Sequence, residues 1–170
     1  MLAVGITVAI IALRDQFRNL GAYGLLGVFV ISLVSNATVI IPVPGLAVVF
    51  AVGGALPPIQ VGLVAALGMT LGELTGYLAG YGGGVVIENR QRYEQIRRYM
   101  GKYGLGTIIV LAAIPNPFFD VAGLAAGALK MPLWKFLLAC FVGKAIKAVA
   151  FAYAGAGSAP FIADLFRRWF

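Results

Sequence analysis

The segment Ile114-Pro115-Asn116-Pro117-Phe118-Phe119-Asp120 interrupts an apolar run covering residues 104–129. Two prolines, an amide and a carboxylate ordinarily mark a turn in water. Here both flanks, residues 107–113 and 121–127, are hydrocarbon-like. A backbone broken at membrane depth is tolerated only where it is buried in protein or lines a wet cavity. The segment therefore reads as the tip of a re-entrant hairpin. That reading needs a membrane, and the composition supplies one. Of the 170 residues 61% are hydrophobic and 11% charged, with a mean hydropathy of +0.96, whereas a soluble domain carries about 25% charged residues. Apolar runs of about 20 residues recur between short basic loops, the pattern of a multi-pass membrane protein.

The net charge of +7 lies in loops between these runs. It forms neither a basic face nor a basic-aromatic interleave, so nucleic acid is excluded as a partner. Positive-inside topology and anionic headgroups account for it. The chain has no histidine and a single cysteine, Cys140. A histidine-based dyad, the usual zinc site and an internal disulfide are thereby excluded. The few polar residues offer no nucleophile–base pair, so no enzyme activity, cofactor or metal is expected.

In chain order, residues 1–20 read as an interfacial or partial helix. The apolar part, 1–13, is too short to cross a core of about 30 Å, and it lacks the basic start and Ala-x-Ala site of a cleaved signal peptide. Arg14, Asp15 and Arg18 place a polar loop after it. Residues 21–87 form a first unit, with a spanning helix over 21–41. Pro42-Val43-Pro44-Gly45 breaks that helix; the apolar residues 46–56 after it read as a first re-entrant hairpin closed by Pro57-Pro58, and a second spanning helix starts at about residue 59. Residues 88–103 carry Arg90, Arg92, Arg97, Arg98 and Lys102, with Tyr93, Ile96, Tyr99 and Met100 at helical spacing. They read as an amphipathic linker on the cytoplasmic surface. Residues 104–157 hold the second hairpin, broken at Pro115 and Pro117, and a last spanning helix. Residues 158–170, with Arg167, Arg168 and Trp169, read as an interfacial segment. The fold class is an all-α polytopic membrane protein.

Sliding the chain against itself by 73 positions superposes Pro42 and Pro44 on Pro115 and Pro117, Gly54 on Gly127, and Gly82 on Gly155. Each unit is then a hairpin plus one spanning helix, and consecutive units must point oppositely. This is an inverted-topology repeat, in which secondary transporters place their site at mid-membrane. Gly72, Gly76, Gly80 and Gly84 form a ridge of small residues, expected to pack against another helix or a second copy.

With the loop charges set aside, Glu73, Asp120, Lys144 and Lys147 remain at membrane depth. Two acids and two bases balance, as expected where a lone ion costs several kcal/mol. Glu73 and Lys144 are expected to approach one another, with Asp120 facing Lys147 or Lys144. A structural cluster joining the repeats and a polar path for a headgroup or proton both fit. Asn116, at the hairpin tip, joins that path.

These features together resemble the DedA superfamily, also called the VTT or SNARE-associated Golgi protein family. The matching residues are Pro42, Pro44 and Gly45; Gly72, Glu73, Tyr77 and Gly80; Ile114, Pro115, Asn116, Pro117 and Asp120 with Gly123 and Gly127; then Phe136, Gly143 and Lys144. The resemblance covers about residues 32–157. Leu46, Ala112 and Phe118 stand where DedA members carry charged residues, DedA members often carry a further acid near Asn36, and Asp120 fits the VTT-like branch. The resemblance implies two facing re-entrant hairpins and lipid translocation. The expected function is a lipid transporter or scramblase of the cell membrane for phosphate-bearing lipids, with membrane lipids as partners and protons as a coupling ion. The alternatives are a proton-coupled exporter of small cationic solutes and a non-transporting assembly factor for membrane proteins.

Overall fold

A computed structural model describes residues 14–37, 45–82, 94–95, 98–99, 102–115 and 119–169; the side chains of 14–22, 120 and 159–169 lie outside that description. Its elements are α1 (Arg14–Ala37), α2 (Gly45–Gly53), α3 (Pro58–Gly72), α4 (Leu74–Tyr81), α5 (Leu105–Ala113), α6 (Phe119–Ala128) and α7 (Leu133–Trp169). No strand occurs among the described residues.

The helix ends follow local chemistry. Pro58 opens α3, where the missing N–H costs nothing and the fixed φ already suits a helix. Glu73 separates α3 from α4 by a single residue, yet its N–H still reaches the Met69 carbonyl at 3.3 Å and its carbonyl accepts from the Tyr77 N–H at 3.0 Å. The two helices therefore form one apolar rod, Pro58–Tyr81, of 24 residues. At the end of α6 the Met131 N–H closes back on the Ala126 carbonyl at 3.0 Å, with Lys130 at φ 51°. Glycine usually occupies that left-handed position, and a side chain there costs on the order of 1 kcal/mol.

Two sequence expectations move. Arg14, Asp15 and Arg18, expected in a loop, lie within α1, because no glycine or proline stands between Arg14 and Gly21 to stop the helix. The boundary after residue 20 thus falls inside α1. The spanning helix expected over 21–41 lies partly outside the described residues, among which Tyr23–Ala37 form its apolar helical part. The boundary after residue 157 falls inside α7, which continues to Trp169.

Pro58–Tyr81 and Leu133–Ser158, of 24 and 26 residues, are long and apolar enough to cross a membrane. Their outer faces carry exposed rows four residues apart, Leu63, Leu67 and Leu71 on one rod and Leu138, Val142 and Ile146 on the other. Their inner faces are small: Ala65, Ala66, Ala139, Ala148 and Ala152 are all buried. Large residues outside and small ones inside suit a lipid solvent, where association relies on close packing. The protein is an all-helical membrane protein.

Glycines set the helix crossings. A Cβ at Gly53 of α2 would overlap the backbone of Ala152 in α7, and one at Gly155 of α7 would overlap the backbone of Phe50 in α2. Likewise Gly127 of α6 lies on the backbone of Tyr77 in α4, and Gly80 of α4 lies on that of Leu124 in α6. Gly68 of α3 meets the backbone of Phe29 and Leu33 in α1, and Gly143 of α7 meets that of Ile109 and Ala113 in α5. The expected single glycine ridge is divided. Gly72 packs on Leu33 and Asn36 of α1, whereas Gly80 packs on α6. Residues four apart on a helix drift by about 40° per step, so two steps face a different neighbour. Gly84 lies outside the described residues.

Two apolar clusters result. One gathers Tyr77, Ile108, Ala112, Phe119, Phe136, Ala139 and Cys140 with the buried alanines of α6. The other gathers Val28, Val49, Val61, Ala65, Met69, Ala148 and Ala152. Helix α7 contributes to both. Gly155→Ala and Gly127→Ala are expected to destabilise by about 1–3 kcal/mol through overpacking. Gly157→Ala, where a Cβ has nothing within 4 Å, is expected to leave stability unchanged. Thermal unfolding in detergent separates the three variants.

Candidate functional site

Lys144 lies midway along the membrane-capable part of α7, and only 1% of its surface is accessible. Its ammonium donates to Glu73 Oε1 at 2.7 Å and to Asn36 Oδ1 at 2.6 Å. The Phe119 ring centroid lies 4.5 Å from Lys144 Nζ, a cation–π contact worth about 2 kcal/mol when desolvated. Glu73 is 3% exposed. Four chain elements converge on one charge.

Each element arrives for a local reason. Asn36 sits one residue before the end of α1, and its Nδ2 donates to the Ser32 carbonyl at 3.0 Å, one helical turn back. That bond turns its oxygen toward the lysine. Glu73 occupies the joint between α3 and α4, and the Thr75 hydroxyl beside it donates to the Ala37 carbonyl at 3.1 Å. The end of α1 is thereby tied to the joint. Phe119 opens α6 directly after the second break, and Gly123, one turn later, faces Glu73: a Cβ there would stand in ordinary contact, 3.6 Å from Glu73 Oε2. The site thus gathers the end of α1, the start of α6, the α3–α4 joint and the middle of α7.

The expected approach of Glu73 and Lys144 is observed. Lys147 is half-buried and follows Lys144 by three positions on the same helix. The backbone of Asp120 stands next to Phe119 in α6; its side chain, and with it the expected pairing to a lysine, lies outside the described residues. Asn116, Pro117, Pro42 and Pro44 also lie outside them. Pro115 is exposed just beyond α5, and Gly45 is buried at the start of α2, where a Cβ would stand 2.8 Å from Ser35 Oγ.

Asn36 and Phe119 are contributors that sequence reasoning missed. Asn36 carried a usable signal, an amide at the end of an apolar helix just before a proline break. Phe119 carried none, since one aromatic among many apolar residues says nothing about a cation above its face.

Chemically the site is a desolvated cation with one formal counter-charge, one amide oxygen and one π face. Removing one partner of such a pair strands the other charge. Lys144→Met alone is expected to cost about 3–5 kcal/mol, and the double variant Glu73→Gln/Lys144→Met to recover at least half of it. Thermal unfolding of the three proteins in one detergent measures both.

Comparison with known proteins points the same way. The model of the VTT domain matches residues 43–157. Vacuole membrane protein KMS2 of Arabidopsis thaliana is 34% identical over 111 residues, covering 54% of this chain and 27% of that protein. The vacuole membrane protein 1 homolog of Dictyostelium discoideum is 43% identical over 53 residues, covering 31% of this chain and 13% of that protein. Vacuole membrane protein 1 of Homo sapiens is 41% identical over 51 residues, covering 30% and 13%. The matches thus take in about a quarter or less of these relatives' own length. No solved structure matches the chain. With its domain model covering most of the chain, including Glu73, Phe119 and Lys144, the protein belongs to the VTT domain family.

Proposed function

We propose that this chain is a multi-pass lipid transporter of the scramblase type in the cell membrane, moving phosphate-bearing lipids past a polar site between two re-entrant hairpins. The observation that carries the reading is the buried Lys144 ammonium, held by Glu73 and Asn36 where the end of α1 and the start of α6 meet. A lysine suits a phosphate as a point charge. A headgroup phosphate would replace the carboxylate as its partner, so the ammonium passes from one anion to another. Intramembrane ions that change partners in this way avoid the cost of standing alone. The displaced Glu73 would take up a proton, which couples lipid movement to protons.

Helix lengths support the re-entrant hairpins. The nine residues of α2, nine of α5 and ten of α6 reach about 14–15 Å, half of a core about 30 Å thick. The glycine crossings support a repeat. Gly53 and Gly127, and likewise Phe50 and Leu124, are 74 positions apart. Tyr77 and Ala152, Gly80 and Gly155, and Gly68 and Gly143 are each 75 apart. The contacts thus favour a spacing one or two longer than the 73 suggested by the proline breaks. The α1 and α5 contacts, Phe29 with Ile109 and Leu33 with Ala113, are 80 apart. At that spacing Asn36 corresponds to Asn116, giving each break an amide.

Reconstitution into vesicles with a fluorescent phospholipid in one leaflet tests the proposal. Exchange well above protein-free vesicles is expected, and its absence sinks the reading. The reversed pair Glu73→Lys/Lys144→Glu is expected to fold while its exchange falls at least tenfold. Full exchange by the reversed pair would assign these charges to structure alone. Solute uptake driven by a pH gradient, without lipid exchange, would favour the exporter instead.

A further inference from the structure

One end of the bundle carries cations and aromatics that neither the ion pair nor the cores use. Helices α5 and α7 both begin there: Leu105 and Met131 pack on the same cluster, and the Tyr77 hydroxyl donates to the Met131 carbonyl. On this end Trp134 is 65% exposed, with Lys135 Nζ 5.4 Å from its ring centroid. The Tyr99 and Tyr103 rings stack at 6.3 Å, Lys102 Nζ lies 5.1 Å from the Tyr103 centroid, and the Thr107 hydroxyl donates to the Tyr99 carbonyl at 3.1 Å. The last bond ties that aromatic pair to the first turn of α5.

Lys130 is the informative residue. Apart from glycine it alone among the described residues has a positive φ, at a position where glycine would serve the turn better. Strain that local structure does not need points to a role for the side chain. Lys130 follows the last residues of α6 and precedes Trp134 and Lys135 by four and five positions, all three exposed or half-buried. Tryptophan and lysine at the edge of an apolar rod are the residues that meet headgroups.

We propose that Lys130 and Lys135 bind the phosphate of an anionic phospholipid at this rim, with Trp134 seated among the neighbouring acyl chains. Charge complementarity selects the occupant, since the Lys135 ammonium lies over the Trp134 ring, Lys130 is exposed in the turn just before it, and no carboxylate lies between Lys130 and Lys135 in the chain. The site is separate from Lys144 and stands whether or not the protein moves lipid.

Trp134 is its own reporter. In a Trp169→Phe background it is the sole tryptophan. The protein is reconstituted in phosphatidylcholine vesicles containing phosphatidylglycerol, with brominated chains on either one lipid or the other. Brominated phosphatidylglycerol is expected to quench Trp134 beyond its mole fraction, with an enrichment of about fivefold per lysine. Lys130→Gln/Lys135→Gln is expected to abolish the enrichment while brominated phosphatidylcholine quenches as before. Lys130→Gly relieves the left-handed strain, so it is expected to raise the thermal midpoint and still lower the enrichment. Equal quenching by the two brominated lipids in the parent protein overturns the proposal. Full enrichment in the folded Lys130→Gly protein removes Lys130 from the site.

Discussion

The bond between Lys144 and Glu73 lies on the seam between two apolar cores. Glu73 is four residues from Met69 in one cluster and four from Tyr77 in the other; Lys144 is four from Ala148 and four from Cys140. A buried ion pair roughly breaks even against apolar residues of similar volume, so its value is not a large gain in stability. Its effect is on register. A slip of α3 along α7 by one residue turns the carboxylate about 100° away from the ammonium, and both charges are then unpaired in apolar surroundings. Packing alone would forgive such a slip among alanines. The charges do not.

Glycine makes that register reachable. In lipid the tails are as apolar as leucine, so helices gain little by hiding hydrocarbon from their surroundings and associate through contact. Gly53 with Gly155 and Gly80 with Gly127 bring backbones together at two crossings, and Gly143 seats α7 on α5 one residue before Lys144. The same approach lets short donors reach across: the Thr75 hydroxyl meets the end of α1, and the lysine meets Asn36 from a third helix. Bulk at these positions would hold the polar groups apart. They would then face lipid or each other without a partner.

What the sequence made legible follows the same physics. Two rods long and apolar enough to span, the proline break before α6 and the Glu73–Lys144 pairing could be read because hydropathy, proline and intramembrane charge are strong local signals. The end of α1 could not be read so well. Its sequence does not say which residue meets the site, and only the tertiary contact of Asn36 with Lys144 shows it. The division of the glycine ridge was hidden for a similar reason, since spacing reveals a face but not how many neighbours share it. Phe119 over the ammonium needed three-dimensional placement altogether.

The proposed repeat also explains why the charge occurs once. At a spacing of 75, Lys144 corresponds to Met69 and Glu73 to Ala148, both buried in the second cluster. Scaffold glycines recur in both halves, and so does the amide, as Asn36 and Asn116. An amide can settle part of its hydrogen bonding within its own helix, as Asn36 does on the Ser32 carbonyl. A second lysine has no such recourse, because it would need a second carboxylate in space that Met69 and Ala148 already fill. One charge pair from two halves therefore gives the seam its polarity at the smallest desolvation cost.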